Sequence, residues 1–144
     1  MPENPPRGMS RITPYLLYED ATAAVDWLTR AFGFEEKVRF EDEGAVTHAE
    51  LWLEGGVVYL GRPGGHYRCA KSLGQATQQV HVYVDDVDAH CERTKAAGAT
   101  VVAEPEDQPY GDRRYDAEDL EGVRWTFAQH IRDVPAEEWG ATQR

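Results

Sequence analysis

Three residues able to transfer protons or bind a metal ion lie in extended segments of the sequence: His48, Glu50 and His81. His48 and Glu50 are two residues apart, so the alternation of side chains along a strand places both on one face. A carboxylate next to a histidine stabilises the imidazolium and holds the ring in one orientation. The two residues therefore form either an acid–base pair or a surface pair. His81 on the same side would complete a metal cluster of unusual composition.

The segments that carry these residues belong to a pattern that occurs twice. An extended run ending at Asp20 is followed by a helical pattern that ends in Ala-Phe-Gly-Phe. An extended run ending at Asp86 is followed by a helical pattern that ends in Ala-Ala-Gly-Ala. Repetition at a fixed spacing indicates repeated architecture, and two copies are too few for a solenoid. We therefore expect two paired modules.

The first copy predicts a strand, a helix and three more strands. Its helix runs from 21 to 32, with Asp20 as the N-cap and Gly33 as the glycine that ends it. Gly55-Gly56 predicts a tight hairpin between the last two strands. The predicted strands are 12–18, 35–41, 46–53 and 57–61.

The second copy repeats this order, with Asp86 as the N-cap of a helix over 87–97 and Gly98 at its end. Its predicted strands are 79–84, 101–104, 113–117 and 123–130, with a long loop over 105–111. The fold class is therefore α+β, with two tandem β-α-β-β-β modules in a single domain of residues 1–144. Module one spans 11–61, the linker 62–77, module two 78–130 and a polar tail 131–144.

Composition limits the classes of partner. The formal net charge of −11 argues against nucleic acid and against an anionic membrane surface, because both need clustered Lys and Arg. No stretch approaches the roughly 18 apolar residues of a membrane span, and the first ten residues lack the apolar run of a secretory signal. The two cysteines have no metal-type spacing. We therefore expect a reduced, cytoplasmic protein without a membrane partner or a disulfide framework.

Six short motifs span nearly the whole chain: Ile12–Asp20, Ala31–Phe34, His48–Leu51, Val82–Ala89, Ala96–Ala99 and Gln108–Arg113. Through them, residues 11–130 resemble the vicinal oxygen chelate superfamily of glyoxalase I, bleomycin-resistance proteins and extradiol dioxygenases. The resemblance extends to an uncharacterised glyoxalase-like branch whose last hairpin usually reads Asp-Pro-x-Gly-His-Arg-Trp. Here residues 119–125 read Asp-Leu-Glu-Gly-Val-Arg-Trp, so the proline and the histidine of that hairpin are missing.

The resemblance implies the glyoxalase/bleomycin-resistance fold, in which curled mixed sheets of two modules surround a shared cavity. It also implies a homodimer and four metal-binding positions, which fall here on Thr13, Tyr59, Gln79 and Thr126. None of these is His or a carboxylate, and Thr and Tyr are poor ligands for a divalent metal. We therefore expect no metal and no other cofactor, although a divalent metal at other residues stays an alternative.

Strand alternation selects the residues expected to line that cavity. Ala49, Leu51 and Leu53 form the apolar set that should face the helices, which leaves the intervening polar and aromatic residues for the opposite side. Trp52 could equally lie in a subunit interface. The predicted ligand-binding residues are Tyr15, His48, Glu50, Trp52, Tyr59, His81, Tyr83, Arg113, Tyr115 and Thr126.

An aromatic wall with a few polar groups suits a flat, partly polar organic molecule. The predicted function is therefore metal-free binding of a small, partly aromatic molecule, with antibiotic sequestration or resistance as the role. The alternative is a small-molecule lyase or isomerase that uses His48, Glu50 or His81, with or without a divalent metal.

Overall fold

The chain is described over all 144 residues by a computed structural model with two four-stranded mixed sheets and three α-helices. The first repeat contains β1 (Tyr15–Leu17), α1 (Ala21–Phe32), β2 (Glu35–Asp42), β3 (Ala45–Leu53) and β4 (Gly56–Gly61). A short helix, α2 (Ala70–Leu73), follows. The second repeat contains β5 (Gln79–Tyr83), α3 (Val87–Ala96), β6 (Thr100–Asp107), β7 (Asp112–Glu118) and β8 (Arg124–His130), and a 3-10 helix, Ala136–Trp139, lies in the tail.

Both sheets have the same topology. The strand order is β1-β4-β3-β2 in the first sheet and β5-β8-β7-β6 in the second. The first strand of each repeat pairs in parallel with the last one, and all other neighbours are antiparallel. The predicted α+β class, with two β-α-β-β-β repeats and curled mixed sheets, is confirmed.

The chain divides into two compact units. The first contains Met1–Thr77 and the three residues Leu120–Gly122, and the second contains Gln78–Asp119 and Val123–Arg144. The short segment in the first unit is held by Glu121, a buried residue whose two carboxylate oxygens accept hydrogen bonds from the backbone N–H groups of Glu19 and Asp20. Asp20 in turn caps α1, so Glu121 fixes the backbone at the point where that helix begins.

The helices begin where the sequence predicts. The side chain of Asp20 accepts a hydrogen bond from the N–H of Ala23 at the start of α1, and Asp86 does the same for Ala89 at the start of α3. Gly33 ends α1 in the left-handed conformation with φ 87°. The longest helix has 12 residues, and none has the length and hydropathy needed to cross a bilayer.

The two hairpins of the first sheet are built on Glu-Gly pairs. Glu43-Gly44 and Glu54-Gly55 have positive φ at both positions, which is the geometry of a type I′ turn and matches the twist of the strands. The predicted hairpin after β3 is therefore present, but Gly56 is already the first residue of β4 and pairs with Leu53. Its turn is one residue earlier than Gly55-Gly56.

Three further segments differ from the sequence-based boundaries. β6 continues to Asp107, through the region predicted as the start of a loop. This strand lies at the edge of its sheet and has register irregularities, and an edge position tolerates Pro105 because no ladder N–H is needed there. The predicted linker contains α2, and the tail contains the 3-10 helix, neither of which was predicted.

Candidate functional site

The first sheet has one face covered by α1 and one face turned away from it. Ala49 and Leu51 on β3 and Leu60 on β4 are fully buried on the helix side. The residues between them lie on the opposite side, called here the first open face. It contains Tyr15, Val38, Phe40, His48, Glu50, Trp52 and Tyr59.

A hydrogen-bonded chain of three side chains crosses this face. The Tyr15 hydroxyl lies 2.7 Å from Nδ1 of His48, and Nε2 of His48 lies 3.3 Å from Oε2 of Glu50. An ionised carboxylate only accepts hydrogen bonds, so Nε2 carries a proton. In the neutral ring Nδ1 is then the acceptor, and Tyr15 donates its hydroxyl proton to it. The predicted pairing of His48 with Glu50 is present, and Tyr15 extends it.

Glycine at position 61 makes this contact sterically available. Tyr15 and His48 belong to β1 and β3, and β4 lies between these strands, with Gly61 directly opposite His48. A Cβ at Gly61 would lie 3.2 Å from the Tyr15 hydroxyl and 2.6 Å from the carbonyl oxygen of Thr47. Any larger residue would therefore obstruct the path of the Tyr15 ring across β4.

Aromatic rings surround the polar chain. Tyr59 contacts both Tyr15 and His48 edge to face, with ring centroids 5.7 and 5.2 Å apart. Tyr15 is 51% exposed, so one side of the cluster is accessible to solvent. The Lys37 ammonium lies 4.9 Å from the centroid of the Trp52 ring. The indole Nε1 of Trp52 is buried without a hydrogen-bond partner. This face therefore combines accessible rings with an unsatisfied donor.

The second sheet also has a face turned away from its helix, called here the second open face. Strand pairing places there His81, Tyr83, Asp112, Arg114, Asp116, Arg124, Thr126 and His130. Thr126 is fully buried and donates to Asp116 at 2.6 Å, and Tyr83 donates to Asp112 at 3.0 Å. Burial, together with the hydrogen bond to Asp112, raises the pKa of the Tyr83 phenol. Most polar groups of this face are paired with one another.

Two predicted ligand-binding residues lie on the wrong face for that role. Tyr115 is fully buried, and its hydroxyl lies 2.6 Å from Nδ1 of His90 and 2.9 Å from Oγ1 of Thr94, both on α3. Arg113 forms ion pairs with Asp88 on the same helix and with Asp107. Both side chains lie on the helix side of β7, so their predicted place beside His81 and Tyr83 is wrong.

Sequence reasoning missed the residues that take their places. Arg114 lies 3.1 Å from the Tyr110 hydroxyl and 3.6 Å from Asp116, and Asp112 is buried between Tyr83 and His130. The sequence of β7 contains a pattern that predicts this placement. Its two apolar residues, Tyr115 and Ala117, are two positions apart and so lie on one face of the strand. Assigning that pair to the helix side, as was done for β3, would have placed Arg114 and Asp116 on the open face.

The remaining predicted residues lie on the two open faces. Tyr15, His48, Glu50, Trp52 and Tyr59 share the first one. His81, Tyr83 and Thr126 share the second, where the rings of His81 and Tyr83 are 4.9 Å apart. Strand alternation therefore located eight of the ten predicted side chains on faces away from the helices.

The residues at the expected metal positions do not fit a divalent ion. Tyr59 packs among rings, Thr126 is bound to Asp116, and Gln79 lies 3.4 Å from the Thr126 hydroxyl. Thr13 precedes β1. No group of three or more His, Cys, Asp or Glu side chains in the chain is placed to hold a metal ion. Hydroxyl and amide side chains of this kind are poor ligands for a divalent metal.

Two β-α-β-β-β repeats, each with a curled mixed sheet, define the glyoxalase class of folds. The profile of the Glyoxalase/Bleomycin resistance protein/Dioxygenase superfamily matches residues 9–127. The chain belongs to this superfamily.

Individual relatives agree with this assignment. The uncharacterized protein Rv0887c of Mycobacterium tuberculosis is 36% identical over 133 residues, which cover 88% of this chain and 78% of that protein. The crystal structure of TioX from Micromonospora sp. ML1 is 40% identical with a TM-score of 0.70, and the match covers 88% of this chain and all of that one. TnmS3, an antibiotic binding protein from Streptomyces sp. CB03234, is 19% identical with a TM-score of 0.67 and coverage of 85% and 97%, which shows a shared fold.

Proposed function

We propose that the chain binds a small, partly aromatic organic molecule on the first open face without a metal ion, and that it thereby sequesters an antibiotic. The observation that carries this proposal is the cluster of Tyr15, His48 and Tyr59, whose rings meet at centroid distances between 5.2 and 5.7 Å. Accessible ring faces offer dispersion and stacking to a planar ligand, and a few polar groups orient it.

The polar groups of this face support the same ligand chemistry. The buried Nε1 of Trp52 lacks a hydrogen-bond acceptor. A carbonyl or ether oxygen of a ligand would supply one after a small movement of the atoms that bury Nε1. The N-terminal segment lies beside the same ring, since a Cβ at Gly8 would lie 3.9 Å from Cη2 of Trp52. TnmS3, which shares the fold, is an antibiotic binding protein. The likeness supports the class of ligand and names no particular one.

A fluorescence titration tests the proposal. The panel contains an anthracycline, a fluoroquinolone and a coumarin antibiotic, with an aliphatic aminoglycoside as the negative compound. We expect saturable one-to-one quenching by an aromatic compound, loss of most of that quenching in Trp52→Phe, and binding weakened at least about tenfold in Tyr59→Ala. Mass spectrometry should recover the compound unchanged.

The control is Tyr83→Ala, because Tyr83 is an accessible tyrosine, 58% exposed, on the second open face. This variant should bind as the unchanged protein does. Equal weakening by Tyr59→Ala and Tyr83→Ala, or quenching that survives Trp52→Phe in full, would place the ligand elsewhere and contradict the proposal.

The chain Tyr15–His48–Glu50 favours a second candidate, a lyase or isomerase in which His48 transfers a proton. A base held in place by a carboxylate is the arrangement that general acid–base catalysis uses. Elemental analysis of protein purified without chelators separates the candidates where a metal takes part. Stoichiometric Zn, Ni, Mn or Fe that disappears in His48→Ala would favour the enzyme, and so would turnover of any panel compound that this substitution abolishes.

We further propose that the chain forms a homodimer. Val38 and Phe40 on the edge strand β2 are 44% and 62% exposed, an apolar pair that a partner would cover. Light scattering should give twice the chain mass of 16.2 kDa, and Phe40→Asp should shift the protein toward the monomer. A mass of 16.2 kDa for the unchanged protein at micromolar concentration would refute the dimer.

We also propose a cytoplasmic location. Both cysteines, Cys69 and Cys91, are free and buried, which suits a reducing compartment. Cell fractionation with an antibody against the chain would test this, and recovery in the secreted fraction would contradict it.

A further inference from the structure

We infer that Tyr15 is a nucleophilic tyrosine, activated by His48 and Glu50, and that it accepts an acyl group from activated aromatic esters. This reactivity goes beyond the binding of an unreactive molecule and does not require that a ligand be retained. It also differs from the lyase or isomerase candidate, because the reacting atom belongs to the phenol rather than to the histidine.

The geometry carries this inference. A weak oxygen nucleophile becomes reactive when its hydroxyl donates to a base whose other nitrogen is held by a third group. Tyr15 Oη lies 2.7 Å from Nδ1 of His48, and Glu50 Oε2 lies 3.3 Å from Nε2. The carboxylate fixes the tautomer that leaves Nδ1 free to accept the phenol proton, and it stabilises the imidazolium that results.

The chemical step balances within these residues and the ester. As Oη of Tyr15 attacks the carbonyl carbon, its proton passes to Nδ1 of His48. The bond between the acyl carbon and the leaving phenolate breaks, and an acyl-tyrosine forms. His48 then returns the proton to water. Tyr15 is 51% exposed and packs edge to face against Tyr59, so an aromatic ester could approach the oxygen with its ring beside these side chains.

Two other tyrosines in the same chain provide internal references. Tyr83 is 58% exposed, but its hydroxyl donates to Asp112, an anion that disfavours the phenolate and is a poorer acceptor for a transferred proton than imidazole. Its raised pKa agrees with this. Tyr67 is 67% exposed and serves as the reference for an accessible phenol. The order of reactivity should therefore be Tyr15, Tyr67, Tyr83.

The test is acetylation by p-nitrophenyl acetate at neutral pH, with the acetyl group on each tyrosine measured by peptide mass spectrometry over time. Tyr15 should react at least about tenfold faster than Tyr67, since general base catalysis contributes factors of about 10² or more. His48→Asn should lower the Tyr15 rate to that of Tyr67, and Glu50→Gln should lower it by a smaller factor. The rates at Tyr67 and Tyr83 should not change in either variant.

The slow rate at Tyr83, which depends on its hydrogen bond to Asp112, also shows whether that part of each variant is folded, and His66→Asn is the matched histidine control. Tyr15→Phe should remove one equivalent from the early release of p-nitrophenolate. Equal rates at Tyr15 and Tyr67, or a Tyr15 rate that persists in His48→Asn, would overturn the inference. An acetyl group found on His48 in place of Tyr15 would overturn it as well, because the imidazole would then be the nucleophile.

Discussion

The two open faces carry the same kind of pair at matching positions and use it differently. His48 and Glu50 on β3 occupy the positions that Arg114 and Asp116 occupy on β7, because Glu50 pairs with Tyr59 where Asp116 pairs with Thr126. In both repeats a cationic or basic residue and a carboxylate lie two residues apart. The first pair sits among aromatic rings, whereas the second belongs to a hydrogen-bonded network.

The difference lies in what each pair leaves for a ligand. Asp116 accepts from the fully buried Thr126 and lies beside Arg114, whose charge is permanent. Glu50 meets only a histidine, which can gain or lose a proton, and that histidine is shared with an accessible phenol. The same backbone positions therefore hold a pair within a buried hydrogen-bonded network in the second repeat and a pair beside an accessible phenol in the first.

The largest expected effect is on stability, from removing the carboxylate of the second pair. Asp116→Ala leaves the buried Thr126 hydroxyl with only its longer contact to Gln79 and Arg114 without its counter-ion, which should lower the free energy of unfolding by about 3 kcal/mol. Glu50→Ala, the matched change in the first pair, should cost only about 0.5 kcal/mol because its side chain and that of His48 are partly exposed. Urea denaturation of both variants measures the two values. Equal losses would contradict the distinction between a pair held in a buried network and a pair that lies among accessible rings.

A smaller effect on stability is expected from replacing Gly61, whose position in the first repeat corresponds to that of Ala128 in the second. In Gly61→Ala the new Cβ meets the Thr47 carbonyl oxygen at 2.6 Å and the Tyr15 hydroxyl at 3.2 Å, so the backbone and the ring must both shift. We expect a loss of about 1–2 kcal/mol. The reactivity of Tyr15 should also fall to that of Tyr67.

Gly64→Ala is the control for this change, because nothing lies within 4 Å of the added Cβ there. Full stability and full Tyr15 reactivity in Gly61→Ala would mean that the close approach of Tyr15 to β4 is not needed for the contact with His48.

The smallest effect concerns pH and the end of the second open face. His130 lies 2.8 Å from both Asp133 and Asp112, and hydrogen bonds to these two carboxylates raise its pKa. A pKa raised in the folded state stabilises the fold below about 6.5, the value in an unfolded chain, and this contribution disappears as the pH rises through the folded value. The difference in thermal midpoint between the unchanged protein and His130→Gln should therefore be largest near pH 5.5 and shrink toward pH 8.

Asp133→Asn removes one of the two carboxylates and should give part of the same pH dependence. A difference that grows with rising pH would have the opposite sign and would show that His130 stabilises the fold in its neutral form.

Local patterns predicted most of the architecture. The N-caps Asp20 and Asp86, the glycine after α1 and the order of the strands followed from signals within a few residues of each element. The pairing of His48 with Glu50 followed from the alternation within a single strand. On β7 the same alternation, with Tyr115 and Ala117 as the apolar residues, places Arg114 and Asp116 on the open face, so the prediction of Arg113 and Tyr115 there is wrong.

The sequence by itself determined the two repeats, their fold class and the face on which His48, Glu50 and Trp52 lie, because helix caps and strand alternation are local properties. Only the tertiary structure decided that Tyr15 contacts His48 across Gly61 and that Asp116 accepts a hydrogen bond from Thr126. Both contacts depend on the register between strands that are far apart in the chain. That register is set by pairing and packing, which no single segment of the sequence specifies.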